Sequence, residues 1–337
     1  MKASVSVVVP SPDQLIAAVD IGGTKATAAL VHPSDGIVGT TSMPTGTDVS
    51  SAEVVTRLAT AIGDLRRTAG GASAAKGSVV AAGVVTPGVV SPRGIALAPN
   101  NPGMDTITAD ALRTALGVPA LEWSNDVKAA ALAEHAWGSL AGARSGLYIN
   151  LGTGLAAGAV IDGRPLLGAH GAALEIGYLL PTGPMGAGHR SGAAPLEDRI
   201  SGRGLQDRAT AAGHAGLTAS AVVHGHGPGE TALVELAADF TEELVRAVVN
   251  LAITLDSDAI CFGGGMAAGI GGGMAAGIGG AADVFLDPVR SALAEYAPYP
   301  PRVSLSTRPD QSSLFGAIRI ACAAAGWPTD SLPNPYA

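Results

Sequence analysis

The amino-acid sequence predicts an α/β protein with two lobes, and three observations support this prediction. The chain has 337 residues, of which 47% are hydrophobic, and this is enough to bury more than one core. Short apolar strands alternate with segments of helical spacing, as in an α/β sheet. A strand, a Gly/Thr turn and a second strand occur at residues 13–30 and again at 145–161. A duplicated two-lobe nucleotide-binding fold would leave this kind of internal similarity.

The first half of the chain alternates between strands and helices. One short apolar run ends at Asp20 and is followed by a glycine-rich turn and a second apolar run, which together predict a hairpin. Apolar residues then recur with helical spacing, and a continuous apolar run indicates a buried strand. The predicted elements are strands at 15–20 and 26–31, a helix at 52–68, a strand at 78–85, and a helix at 109–116 that ends before Pro119.

The second half repeats this pattern. An alanine-rich helix is predicted at 129–137, and the strand at 145–151 leads into a Gly-Thr-Gly turn. Further on, the octet at 263–270 is followed immediately by an identical octet at 271–278. One copy can form a turn into a helix, and the second is interpreted as an inserted loop because glycine-rich segments resist regular helix. We have no functional interpretation of the second copy.

Composition and charge exclude several classes of protein. The net charge of -8 is spread without a basic cluster, which argues against binding to nucleic acid or to an anionic membrane surface. No apolar run of about 18 residues occurs, and the N-terminal apolar stretch is too short for a signal peptide. The two cysteines, Cys261 and Cys322, form neither a Cys-x-x-Cys pattern nor a disulfide framework. A cytoplasmic protein is therefore expected.

Two glycine turns are candidates for binding phosphate. In the first, Asp20 ends a strand and Gly22, Gly23 and Thr24 form the turn, where backbone N–H groups can approach phosphate oxygens. The alternative is an ordinary hairpin. Lys25 is either a phosphate ligand or a solvated strand residue. The second turn, Gly152-Thr153-Gly154, has the same arrangement of glycines between two strands. Together the two turns suggest two hairpins that hold one triphosphate.

Asn125 and Asp126 lie at a predicted strand-to-helix junction. Asp126 could serve there as the helix N-cap, a position that Asn and Asp favour for stability alone. It could equally be the base of a phosphoryl transfer, which needs only to orient the attacking hydroxyl and accept its proton. The residues themselves leave both interpretations open.

The order and spacing of these motifs resemble the ROK family of sugar kinases and sugar-responsive repressors over nearly the whole chain. The matching segments are 20–25, Thr86-Pro87-Gly88, Pro99-Asn100, Asn125-Asp126 with Glu134, Gly152-Thr153-Gly154, Ile161-Asp162-Gly163, 168–178, Phe262-Gly263-Gly264 and 313–317.

This resemblance implies a two-lobe actin-like (ribonuclease-H-like) ATPase fold with an interlobe cleft. The N-terminal lobe would span 1–126 and the C-terminal lobe 127–313, with a final helix at 314–325 that packs back on the first lobe. The implied reaction is transfer of a phosphoryl group from ATP to the primary hydroxyl of a sugar, with Mg2+ as cofactor and Asp126 as base. A cytoplasmic homodimer is also expected.

The resemblance also assigns roles to individual residues. Asp20 would place Mg2+ through water. Substrate-binding residues would be Asn100, Asn125, Asp126, Glu175, Tyr178 and Glu197. ATP-binding residues would be Asp20, Gly22, Gly23, Thr24, Lys25, Gly152, Thr153, Gly154, Gly264 and Gly265.

Two departures from the family pattern affect metal and substrate. The family carries Gly-Glu-Ile-Gly-His where this chain has Leu174-Glu175-Ile176-Gly177-Tyr178, and residues 188–195 lack the cysteines of the family's zinc segment. We therefore expect no zinc site. Leu174 and Tyr178 would alter the anomeric side of the sugar pocket, which favours a substrate without an anomeric hydroxyl, such as a C7-cyclitol of the valiolone or valienone type. A plain glucokinase or an N-acetylated amino-sugar kinase is the alternative.

Other interpretations stay open. His170 could contact substrate or lie on the rim of the site, and His224 and His226 have ligand-like spacing but no third ligand. A non-catalytic sugar sensor is the alternative from another class. The repressor branch of the family is disfavoured, because only some 14 residues precede the first strand and no basic stretch occurs.

Overall fold

The computed structural model describes residues 9–45, 49–68, 77–91, 94–97, 106–225, 230–268 and 282–337. The chain divides into two compact units, which are described separately. Unit 1 comprises residues 1–137, 167–173 and 311–337, and unit 2 comprises residues 138–166 and 174–310. In the ranges described, no helix is long and apolar enough to cross a membrane.

Unit 1 is built on a five-stranded sheet of order β3-β2-β1-β4-β7. Strand β1 is antiparallel to β2 and parallel to β4, and β4 is parallel to β7. A separate two-stranded sheet pairs β5 with β6. The strands are β1 (Gln14–Ile21), β2 (Lys25–His32), β3 (Gly36–Pro44), β4 (Ser78–Thr86), β5 (Val89–Ser91), β6 (Gly94–Ala96) and β7 (Ala120–Asn125).

Helices cover both faces of this sheet. They are α1 (Ser51–Thr68), α2 (Ala109–Leu116), α3 (Asp126–Trp137) and, from the end of the chain, α10 (Ser312–Ala325). Strand β1 shows why two layers are needed, because its alternate residues enter different cores. Leu15, Ala17 and Val19 pack in the core shared with α1, whereas Ile16 and Ala18 pack in the core shared with α10. The apolar run 15–19 of β1 is thereby buried on both faces of the sheet.

Helix α10 lies unusually close to its neighbours. A Cβ atom added to Gly83 of β4 would meet the carbonyl oxygen of Ala317 at 2.0 Å, and one added to Gly316 would meet the backbone carbon of Ala129 in α3 at 2.4 Å. The two glycines therefore allow the backbones of strand and helix, and of helix and helix, to approach each other without side chains between them.

Unit 2 has a second five-stranded sheet, of order β10-β9-β8-β11-β12. Strands β8 and β9 are antiparallel, and β11 is parallel to both β8 and β12. The strands are β8 (Ser145–Leu151), β9 (Leu155–Ile161), β10 (Arg164–Pro165), β11 (Ala259–Gly263) and β12 (Arg302–Leu305). The helices are α4 (Glu197–Ile200), α5 (Gly202–Ala211), α6 (Ala219–Val223), α7 (Glu230–Leu255), α8 (Gly265–Ala268) and α9 (Ala282–Tyr296).

The core of unit 2 lies between its sheet and the long helices. Phe240 of α7, Phe262 of β11 and Phe285 of α9 are fully buried, and the Phe285 ring contacts both of the others. The structure describes the first six residues of the duplicated segment, 263–268, which include α8, and the remainder lies outside the described residues. Helix α3 begins at Asp126, three residues earlier than its alanine spacing indicates, because its cap lies at Asn125.

Candidate active-site groups in the two units

The first glycine hairpin joins β1 to β2 in unit 1 and is held by backbone hydrogen bonds. The Gly22 N–H donates to the carbonyl oxygen of Lys25 at 2.9 Å, and the Gly22 carbonyl accepts from the Thr45 hydroxyl at 2.8 Å. The Thr45 N–H in turn donates to the Thr24 carbonyl at 3.1 Å. Carbonyl groups of the turn are thus tied to the end of β3, and the shape of the hairpin is fixed.

Asp20 lies at the end of β1, immediately before this hairpin. Its carboxylate accepts a hydrogen bond from the Ser313 hydroxyl at the start of α10. Burial raises the pKa of Asp20, and the Ser313 hydrogen bond and the charge of the exposed Lys25 reduce that effect without cancelling it. Asp20 is a single enclosed carboxylate at the end of a strand.

The structure separates the roles of Asn125 and Asp126. The Asn125 side-chain oxygen accepts from the Lys128 N–H at 3.0 Å, which makes Asn125 the N-cap of α3, and its amide nitrogen donates to the Gly88 carbonyl at 2.8 Å. Asp126 is the first residue of the helix, where one oxygen accepts from the Val127 N–H at 2.8 Å. The interpretation of Asp126 as the cap is therefore wrong.

Three further predicted positions in unit 1 need comment. Asn100 lies outside the described residues. His170 is exposed in the 167–173 segment. Glu134 is fully buried in α3, and the Ser312 hydroxyl donates to it at 3.3 Å, so this carboxylate helps to join α3 to α10.

The second glycine hairpin joins β8 to β9 in unit 2. Its Gly152 carbonyl accepts from the Gly202 N–H at 2.9 Å, and its Thr153 carbonyl accepts from the Arg203 N–H at 3.1 Å. The start of α5 thus holds the hairpin. The Leu155 N–H donates to the Glu197 carboxylate at 2.8 Å, which ties the exit of the hairpin to α4.

The loop after β11 lies beside this second hairpin. Gly264 has φ +87°, and a Cβ atom there would meet the Leu151 carbonyl oxygen at 2.4 Å. The N–H of Gly265 would lie 4.0 Å from a Cβ atom on Gly152. Unit 2 therefore brings together two of the three segments predicted to bind ATP, 152–154 and 264–265.

Glu175 and Tyr178 lie on a tight backbone turn. Leu174 has φ +63°, which is unusual for a leucine, and its carbonyl accepts from Ile176 N–H at 2.7 Å and Ala157 N–H at 3.3 Å. The Leu196 N–H donates to the Gly177 carbonyl at 3.0 Å, so the chain returns to this turn just before Glu197. The predicted residues Glu175, Tyr178 and Glu197 therefore cluster within unit 2.

The neighbouring carboxylates of this cluster also act on Tyr178. The pKa of Tyr178 is raised first by burial, and then by the charges of Glu175, Glu197 and Asp198. The Tyr178 ring also packs edge-on against His189, with ring centroids 5.2 Å apart. Glu197 is partly neutralised, because its second oxygen lies 3.2 Å from Arg203.

Within the part of the chain that the structure describes, no three His, Cys, Asp or Glu side chains lie together as a group that could hold a metal ion. The expectation of no zinc stays a prediction. His224 ends α6, and its Nδ1 lies 2.7 Å from the Ser220 carbonyl oxygen, while His226 lies outside the described residues.

Sequence reasoning missed a group of ionised side chains in unit 2. Arg199 and Arg208 both pair with Asp239, and Arg199 also lies 3.3 Å from Glu243. The sequence gives only a weak indication of these ion pairs. Asp239 and Glu243 are four residues apart on α7 and flank Phe240 and Leu244, so they lie on a face that apolar spacing alone assigns to the core.

Comparison with known proteins gives matches that extend over both units. The chain matches the ROK family over residues 16–323. It is 32% identical to the bifunctional enzyme NanE/NanK of Brucella melitensis over 85% of its own length, and it spans about half, 49%, of that relative. It is 29% identical to the N-acetylmannosamine kinase of Salmonella arizonae, covering 90% of this chain and 97% of that one. The crystal structure of the ROK hexokinase from Thermus thermophilus superposes with a TM-score of 0.75 at 27% identity, covering 92% of this chain and 98% of that one.

Proposed function

The chain belongs to the ROK family, and from this premise we propose that it is an ATP-dependent sugar kinase that phosphorylates a primary hydroxyl group. The observation that carries the proposal is that Asn125 and Asp126 have different roles at the start of α3. Asn125 performs the capping, and Asp126, which accepts from the Val127 N–H through one oxygen, is thereby held at the first position of α3. The relatives reported above support the reaction class, because their names describe kinases that act on N-acetylmannosamine or on hexoses.

In the proposed mechanism Asp126 orients the attacking hydroxyl and accepts its proton as the oxygen bonds to the γ-phosphorus of ATP, and the bond from that phosphorus to the bridging oxygen breaks to release ADP. Positioning and charge neutralisation supply most of the rate enhancement in such transfers, so the base has a limited task. Helix α3 holds Asp126 in a fixed place, because the Asn125 side chain ties the first turn of the helix to Gly88.

Each hairpin, taken by itself, has the backbone of a phosphate-binding turn, as a nucleoside triphosphate requires. The turns at 22–24 and 152–154 present glycine backbone, and their carbonyls are tied to β3 and α5, which leaves the turns rigid. Such turns bind phosphate through backbone N–H groups. We assign Gly264 and Gly265 to the same nucleotide on account of their position beside 152–154.

Asp20 also fits its proposed role. Mg2+ in kinases is held by one or two carboxylates together with water and phosphate oxygens, so one enclosed carboxylate beside a phosphate hairpin suits it. When bound, Mg2+ would neutralise charge on the transferring phosphoryl group. Asp20 would contribute its oxygens through water, and Ser313 would keep the carboxylate in place.

On the acceptor side, we propose that Glu175, Tyr178 and Glu197 bind ring hydroxyls. The cluster is rich in acceptor oxygens, which suits a polyhydroxylated ring. A hexose or an N-acetylated amino sugar such as N-acetylmannosamine is the first substrate class, because the relatives' names describe these acceptors. A C7-cyclitol is the second candidate, and its support is confined to Leu174 and Tyr178, which depart from the family pattern.

The test is a phosphorylation screen with ATP over hexoses, N-acetylated amino sugars, inositols and C7-cyclitols, with Asp126→Asn as the inactive control. We expect one class to be phosphorylated at an efficiency ordinary for a kinase, and the control to be inactive on it. Sugar binding without turnover across the whole screen would favour the non-catalytic sensor instead. Turnover of cyclitols alone would select the second substrate class.

A further inference from the structure

The segment from Leu179 to Pro195 joins Tyr178 to Glu197, and most of its side chains are exposed. It has no cysteine that could tie it down through a metal or a disulfide. Its ends are held by the hydrogen bond from Leu196 N–H to the Gly177 carbonyl. A segment of this length between two residues of a binding cluster needs a fixed point of its own, because lost backbone freedom must be offset by contacts.

Glu243 supplies that fixed point. It lies in the middle of α7 and is only 2% exposed. Its carboxylate accepts from the Thr182 N–H at 2.9 Å and also from the Thr182 hydroxyl. The opposite side of the same residue is held too, because the Arg199 guanidinium donates to the Thr182 carbonyl at 3.0 Å. Glu243 and Arg199 thus bind the backbone N–H, the hydroxyl and the carbonyl group of the exposed Thr182.

A second layer of charges holds Arg199 in place. Asp239 binds Arg199 at 2.7 Å through one oxygen and Arg208 at 2.6 Å through the other. Arg208 also donates to the Arg199 carbonyl at 3.0 Å. Burial alone would raise the pKa of Asp239, but hydrogen bonds from the two arginines outweigh it and the pKa lies below its ordinary value. The four side chains carry two positive and two negative charges, so the network is neutral and internally paired.

We propose that Glu243 is a positioning residue for acceptor binding, which acts by anchoring Thr182 and so fixes the segment that connects Tyr178 to Glu197. The kinetic consequence rests on the proposed function, whereas the anchoring itself does not. Geometry at a binding site is sensitive to small displacements, and a shift of about 1 Å can reduce a rate by a factor of about 100. Loosening Thr182 should therefore weaken acceptor binding and leave nucleotide binding intact.

The neighbouring residue provides a matched control. Glu242 is 67% exposed and pairs with Arg246 one turn further along the same helix. Glu242→Gln and Glu243→Gln make the same chemical change at adjacent positions of α7. Because Thr182 is itself exposed, Thr182→Val is a milder second variant that removes the hydroxyl donor without disturbing the core.

Two measurements are made on the 337-residue chain. The first is hydrogen–deuterium exchange of the backbone amides at 179–196. We expect faster exchange in Glu243→Gln, a smaller change in Thr182→Val, and wild-type behaviour in Glu242→Gln. The second is steady-state kinetics with the best sugar from the screen, in which Glu243→Gln should raise the KM for sugar, lower kcat/KM for sugar by a factor of up to about 100, and leave the KM for ATP unchanged.

The outcomes separate the two proposals. Unchanged exchange at 179–196 in Glu243→Gln would overturn the anchoring role, whatever the activity. A parallel rise of both KM values with a loss of global stability would show a purely structural role and would also overturn the inference. If the wild-type protein phosphorylates no acceptor, the proposed kinase function fails and with it the acceptor-binding role, and the exchange data then decide the anchoring alone.

Discussion

Replacing Asp126 and Asn125 in turn should separate chemistry from stability at one helix terminus. In Asp126→Asn the amide oxygen can still accept from the Val127 N–H, but it cannot take up a proton. Loss of a general base reduces kcat by a factor of about 10²–10⁴, which corresponds to about 2.7–5.5 kcal/mol in the activation barrier. Because Asp126 is not the cap, the free energy of unfolding should change by less than about 0.5 kcal/mol.

Asn125→Ala, in contrast, should lower the free energy of unfolding. It removes the cap of α3, which costs about 1 kcal/mol, and it leaves the Gly88 carbonyl without its buried donor, which costs about 1–3 kcal/mol more. Asn125 is 7% exposed, so water does not readily replace the lost contact. The sum is a loss of about 2–4 kcal/mol.

The assay couples ADP release to a spectrophotometric signal, and urea unfolding followed by circular dichroism gives the stability of both variants. Calorimetry with ATP and with sugar establishes that Asp126→Asn still binds both. The reasoning is refuted if Asp126→Asn keeps more than about a tenth of wild-type kcat, since that loss is below about 1.4 kcal/mol. It is also refuted if Asp126→Asn destabilises the protein as much as Asn125→Ala does.

Four further outcomes are expected. Gly316→Ala in α10 should destabilise by about 1–3 kcal/mol because its Cβ would overlap the backbone of α3, whereas Gly63→Ala in α1, where no atom lies within 4 Å, should stabilise by about 0.5–1 kcal/mol in the same urea experiment. Asp20→Asn should lower activity with Mg2+ and ATP. The same change should raise the free energy of unfolding at neutral pH, because the raised pKa of Asp20 means that folding disfavours the ionised carboxyl. A free energy of unfolding equal to or below that of the wild type would contradict this reasoning. Because the pKa of Asp239 is lowered in the folded protein, the ionised carboxylate stabilises the fold above pH 3.8, the ordinary pKa of Asp, and this stabilisation is lost as the pH falls further. The unfolding free energy of Asp239→Asn should therefore depend less on pH between about pH 4 and 2, by an amount on the order of one group's titration. Tyr178→His should raise kcat/KM for glucose relative to a cyclitol, and an unchanged ratio would remove the argument for cyclitols.

Much of the fold follows from local sequence patterns. The α/β class and the ROK family are predicted from strand–helix alternation and motif order, and both are confirmed. The turns at 22–24 and 152–154 lie between strands as predicted, because a glycine-rich turn between two apolar runs has few other conformations. Local signals of this kind need no knowledge of distant residues.

The remainder depends on contacts between distant parts of the chain. Sequence alone leaves Asp126 as either a helix cap or a base, whereas the structure assigns the cap to Asn125, whose side chain is also held by Gly88, 37 residues away. The anchoring of Thr182 by Glu243 joins residues 61 positions apart. Neither the partner nor the burial of an ionised group can be read from spacing, because both arise only when the helices pack.

The position of α10 has a consequence for synthesis of the protein. Its residues lie against β1, β4 and α3, yet they are made about 175 residues after α3 is complete. At about 5–20 residues per second, a ribosome takes roughly 10–35 s to add them. During that interval the face of the first sheet that includes Ile16 and Ala18 lacks α10, which supplies much of the core on that side. Unit 2 can complete its own core earlier, so the nascent chain emerges with its first-made sheet finished last, and a chaperone that recognises apolar strands would find its binding site there.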